Sequence, residues 1–123
     1  MEQLKASIEA EIKTGRIGTP VFLRCFYQVN QQFTDRGTIE TLINLANSWM
    51  HSEIEFSHFR EDDCQTTVLL QFADGESALL SANYLTDAVQ KPIIDLHMIG
   101  SRGTIYHQGT LEHEYVYTTK RKN

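Results

Sequence analysis

Between Thr66 and His107 the chain holds two successive stretches that read as β-hairpins, and their strands are apolar on both faces. The first turns at Asp74-Gly75, a dipeptide that between β-type runs marks a two-residue turn with positive φ at both central positions. That register sets Phe72 opposite Ser77, Leu70 opposite Leu79 and Leu69 opposite Leu80. One face then carries Phe72, Leu70, Val68 and Leu79, and the other carries Leu69, Ala78, Leu80 and Ala82. The second hairpin spans 93–99 and 103–107 and turns at Ser101-Arg102, between Gly100 and Gly103. Ile94, Leu96, Met98 and Ile105 share one of its faces, while Asp95, His97 and Tyr106 share the other. A sheet that is apolar on both sides needs two covers.

The rest of the chain supplies one. Leu4, Ile8 and Ile12 recur at helical spacing over 2–14, with Gly15 as a stop signal. Residues 20–30 alternate as a strand that starts at Pro20, with Val21, Leu23, Cys25, Tyr27 and Val29 on one side. Phe22, Arg24, Phe26, Gln28 and Asn30 lie on the other. A second helix, capped by Asp35 or Thr38, runs to about Met50 with an apolar stripe of Ile39, Leu42, Ile43, Ala46, Trp49 and Met50. Strands follow from Glu53, and a last one around Glu112 to Thr118 presents His113, Tyr115 and Tyr117. The order predicts an α+β domain over 1–123: an open, mostly antiparallel sheet with two helices on one face.

The second face, with Leu69, Ala78, Leu80 and Ala82, is expected to serve self-association. Burying some 600 Å2 of apolar surface per copy is worth on the order of 15 kcal/mol before association costs, and a face-to-face homodimer is the simplest way to do it. The alternative is a monomer whose loops fold over the sheet.

Composition narrows the partners. A net charge of -5 excludes the basic field of a general nucleic-acid binder, and Lys120-Arg121-Lys122 reads as a solvated tail. No run is long and apolar enough for a signal peptide or a membrane span, so a cytoplasmic protein is expected. Cys25 and Cys64 stand apart and read as free thiols of a reducing compartment, although spacing leaves a disulfide open. The histidines, at 51, 58, 97, 107 and 113, have no zinc-site spacing, and no metal or cofactor is expected. His97 faces Tyr106 with Asp95 two residues away, a polar cluster that reads more readily as structural than catalytic. Arg24, among aromatics, suits either an anionic ligand or a carboxylate partner.

Three segments carry a resemblance. Ile12-Lys13-Thr14-Gly15-Arg16-Ile17-Gly18-Thr19-Pro20-Val21 is similar to the G-x-I-G-x-P lead-in to the C-terminal domain of the glucose–fructose oxidoreductase/inositol dehydrogenase/MocA-type dehydrogenases. Leu69-Leu70-Gln71-Phe72-Ala73-Asp74-Gly75 resembles that family's L-x-F-x-D-G hairpin, and Ile99-Gly100-Ser101-Arg102-Gly103-Thr104-Ile105 resembles its later glycine turn. The resemblance covers about residues 8 to 107. It implies a substrate domain built on a large open sheet, with helices on one face and subunit contacts on the other. The family's Gly-rich dinucleotide fingerprint and Glu-Lys-Pro motif have no counterpart in the sequence. The helical positions that hold its catalytic histidine and acid fall on Leu45 and Ser48, and neither side chain exchanges a proton near neutral pH.

Three functions follow as expectations. One is a stand-alone, non-catalytic, self-associating module able to take a small ligand or partner. Another is a subunit that completes an NAD(P)-dependent dehydrogenase by docking with a separately encoded nucleotide-binding chain. The last is an independent enzyme using the His97 cluster. The first is carried forward.

Overall fold

A computed structural model describes residues 2–30, 37–85, 92–110 and 116–120. Helix α1 (Glu2–Lys13) buries Leu4 and Ile8, and just past its end Gly15 takes a φ of 77° that accommodates the reversal after the last turn. Strand β1 (Pro20–Asn30) leads to α2 (Gly37–Trp49). That helix starts ahead of Thr38, and Asp35 lies outside the described residues. Then come β2 (Ile54–Glu61), β3 (Gln65–Phe72), β4 (Ser77–Leu85), β5 (Ile93–Gly100), β6 (Gly103–Thr110) and β7 (Val116–Lys120). Of the expected last strand, His113 and Tyr115 fall outside the described residues.

The seven strands form one open sheet in the order β2-β3-β4-β1-β5-β6-β7. Every pairing is antiparallel except β1 with β4, which run parallel at the centre. The fold is the expected α+β arrangement. Both helices contribute to one continuous core with Leu23, Cys25, Leu96, Met98 and Ile105, all from one side of the sheet.

The first hairpin corrects the predicted register. Phe72 N–H donates to the Glu76 carbonyl at 2.9 Å and Gly75 N–H to the Phe72 carbonyl at 3.0 Å, so the loop has three residues, Ala73-Asp74-Gly75. Only Gly75 takes positive φ there, at 91°. This is the tight turn with a glycine bulge, not the two-residue turn. Leu70 pairs with Ala78 and Leu69 with Leu79, one residue away from the predicted pairing. A slip of one residue turns every side chain of a strand over. Ala78, Leu80 and Ala82 therefore lie fully buried in the core with Val68, Leu70 and Phe72, not on the open face with Leu69. The hydrophobic effect explains the choice, because the other register would have put Ser77, Ser81 and Asn83 beneath the helices.

The lead-in to β1 locks onto the second hairpin. Ile17 is fully buried, and its carbonyl accepts from Arg102 N–H at 2.7 Å. Thr19 N–H donates to Ser101 Oγ at 3.0 Å, and Ser101 N–H to the Thr19 carbonyl at 2.9 Å. Gly18 has a φ of 73°, and a Cβ there would collide with Ser101 Oγ. A Cβ on Gly100 would collide with the Ile17 carbonyl oxygen.

Candidate functional site

The open face is built by alternation along the strands. From β1 it takes Phe22, Arg24, Phe26 and Gln28, and from β5 it takes Ile93, Asp95, His97 and Ile99. Leu69 and Leu79 lie beside Arg24 on the other flank, so this face mixes apolar and polar groups. Arg24, His97 and Tyr106 stand in one row across β1, β5 and β6. The His97 and Tyr106 rings meet edge to face, with centroids 5.9 Å apart at 81°. Tyr106 donates its hydroxyl proton to Gln108 Oε1 at 2.9 Å. The Arg24 guanidinium carbon sits 5.5 Å from the centre of the Phe26 ring, a cation–π distance.

Asp95 pairs in register with Phe26 and Gln108. It helps line an open depression of about 290 Å3 with Phe26, Gln28, Asn83, Ile93 and Gln108. Its Oδ1 is buried without a hydrogen-bond partner. The structure thus brings Arg24, Asp95, His97 and Tyr106 onto one face. Among the described residues, no hydrogen bond or ion pair joins the four.

On the other side of the sheet, Leu45 of α2 is buried in the core and Ser48 Oγ–H donates back to the Leu45 carbonyl at 2.8 Å. Neither presents a proton-transfer group. A second depression, of about 260 Å3, lies between α2 and the outer strands, where Ile39, Ile43, Phe59 and Tyr84 meet Glu40 and Glu61.

Sequence reasoning missed one cluster, His51 with Asp74 and Glu76. His51 Nε2 lies 2.8 Å from Asp74 Oδ2, and its Nδ1 lies 2.8 Å from Glu76 Oε1. Ser52 Oγ–H reaches the Glu76 carboxylate at 3.2 Å and accepts from Asp74 N–H at 3.2 Å. The three residues offer metal-ligating atoms within 4.8 Å of one another. Each carboxylate faces a different ring nitrogen, however, so the contacts form a clamp rather than a convergent ligand set. The clamp ties the end of α2 to the first hairpin. Because His51 and Asp74 are half-exposed while Glu76 is buried, His51→Ala is expected to cost about 1 kcal/mol in chemical denaturation. A variant as stable as wild type would remove the clamp from the account.

No family model matches the sequence, and no curated protein does. Solved structures do. A protein assigned as an oxidoreductase from Thermotoga maritima superposes with a TM-score of 0.71 at 9% identity, over 95% of this chain and 46% of that one. A levoglucosan dehydrogenase bound to NADH gives 0.60 at 13% identity, over 93% and 43%. An oxidoreductase from Agrobacterium radiobacter, in complex with NAD+, L-tartaric acid and magnesium, gives 0.61 at 16% identity, over 95% and 43%. The fold is that of the C-terminal domain of the glucose–fructose oxidoreductase/inositol dehydrogenase/MocA-type enzymes. The chain spans less than half the length of these oxidoreductases. Within that domain fold, the open face and α2 are the two surfaces on which the sequence placed its expectations. Among the described residues, no helix is long and apolar enough to cross a membrane.

Proposed function

We propose that this chain is a non-catalytic, self-associating module with an oxidoreductase C-terminal-domain fold, and that it pairs with a second copy through the open face of its sheet. The observation that carries the reading is the make-up of that face. Phe22, Phe26, Leu69, Leu79 and Ile93 are half-buried there with no covering layer among the described residues, and Ile99 and Phe56 are exposed beside them. Phenylalanine, arginine and tyrosine interleaved with uncharged polar groups are the mixture found at interface centres. The correction to the first hairpin makes the face more polar than the sequence suggested. Association then draws on shape and specific polar pairing as well as on apolar area.

No redox chemistry is assigned to the chain's own residues, since Leu45 and Ser48 occupy the positions that the resemblance gives to proton transfer. No cofactor is assigned either. Cys25 and Cys64 are free, one buried and one exposed, which fits a reducing, cytoplasmic setting. Sedimentation equilibrium at about 10 µM, well above the dissociation constant of a stable interface of standard size, is expected to return twice the 14.1 kDa mass of the chain. A monomer under those conditions overturns the reading.

A second reading has its own support. The chain matches less than half of structures that hold NADH or NAD+. It would then be the part of an NAD(P)-dependent dehydrogenase that docks with a nucleotide-binding chain. Co-purification of such a chain from the native cell favours this reading, and NADH binding by the isolated chain contradicts both.

A further inference from the structure

Across the open face of the five central strands, β3, β4, β1, β5 and β6, the carboxylates and guanidinium groups number two: Asp95 and Arg24. They sit on adjacent strands at the middle of the sheet, two residues out of register, because Arg24 pairs with His97 and Asp95 with Phe26. The Arg24 guanidinium carbon lies over the Phe26 ring, 5.5 Å from its centre, and among the described residues no carboxylate pairs with it. The ion pairs among the described residues lie elsewhere, at Lys5–Glu9 and around His51. Asp95 Oδ1 is buried with no donor. A half-buried cation and a half-buried anion thus stand side by side without an ion-pair partner among the described residues, and Asp95 Oδ1 bears a desolvation cost that an external partner of opposite charge offsets.

A second copy offers both charges in the required positions. Face-to-face pairing of identical surfaces is isologous, so a contact from Arg24 of one copy to Asp95 of the other occurs twice. A two-fold axis in the interface that crosses the line between the two residues exchanges them. We propose that Arg24 and Asp95 form this reciprocal pair of ion pairs at the centre of the dimer and fix its register. The inference rests on the self-association reading above. Position favours it, since charged anchors that matter most to binding cluster at the desolvated centre of an interface.

Charge reversal tests the pairing. Arg24→Asp and Asp95→Arg are each expected to raise the dimer dissociation constant about 100-fold or more, because each homodimer then faces two like-charge contacts. An equimolar mixture of the two variants makes both contacts complementary again and is expected to associate within about tenfold of wild type. A pair formed within one chain shows no such recovery, because each chain would still carry its own mismatch. Circular dichroism verifies folding. Should a reversal not fold, Arg24→Gln and Asp95→Asn replace it, each weakening the dimer about tenfold, with the double variant no weaker than the singles by more than a few-fold. A wild-type dimer whose variants all associate as tightly as wild type overturns the pairing and leaves self-association standing. So does a mixture that does not recover, or substitutions whose effects are independent. A wild-type monomer overturns both and assigns the face to a different partner.

Discussion

Gly100→Ala is expected to destabilise the protein by about 3 kcal/mol or more and to lower its melting temperature by more than about 10 °C. The cause is steric rather than conformational. A Cβ at this position would run into the carbonyl oxygen of Ile17, with the carbonyl carbon and Cβ of the same residue at 3.0 Å. Backbone cannot swing aside as a long side chain can. Ile17 is fully buried, and its carbonyl is engaged by Arg102 N–H, so any retreat breaks a hydrogen bond and opens the core. Gly75 provides the comparison. Its φ of 91° disfavours a side chain, but nothing lies within 4 Å of the added carbon, so Gly75→Ala is expected to lose only about 1–2 kcal/mol. Thermal melts of both variants decide the matter. If Gly100→Ala melts no lower than Gly75→Ala, the lead-in does not lock onto the hairpin as described.

That lock gives a physical account of two of the three motifs. Gly18 and Gly100 lie more than 80 residues apart, yet each is small because the other segment passes against it. The hydroxyl at Ser101 accepts Thr19 N–H, which suits a serine or threonine at that place in the turn. These motifs secure one end of the sheet.

What the sequence revealed and what it hid divide along the range of the interactions. The stripe on α2 and the alternation of the second hairpin were legible because each is decided within a few residues. Asp95, His97 and Tyr106 were placed together for the same reason. Arg24 joins them because β1 inserts between β4 and β5, and nothing local specifies that parallel pairing. The turn at Asp74-Gly75 misled because the same dipeptide serves a two-residue turn and a three-residue turn with a glycine bulge. The deciding information was present in Ser77, Ser81 and Asn83, whose alternation identifies the outward side of β4. The His51 clamp was invisible, since Asp74 and Glu76 come to it only when the hairpin folds back onto α2.

Alkaline pH is expected to weaken the protein through Cys25. Burial, and secondarily the negative charge of Asp95, pushes its thiol from 9.0 up to about 12. Between those values the unfolded chain releases the proton while the folded chain keeps it. Stability that is fully present below pH 9 therefore declines as pH rises, by about 1.4 kcal/mol per pH unit and up to about 4 kcal/mol by pH 12. Tyr27, also raised by its burial and then by Cys25, acts in the same direction above pH 10. Other groups titrate there as well, so the informative quantity is the difference between wild type and Cys25→Ala. The variant begins less stable, having lost a buried side chain, and the gap between the two is expected to close as pH climbs from 9 to 11. Thiol labelling supplies the matching observation: one reactive cysteine in the native protein, the exposed Cys64, and two after unfolding. Denaturation curves that stay parallel across this pH range would show that Cys25 ionises as readily in the fold as out of it, which a thiol sealed between the helices and the centre of the sheet cannot do.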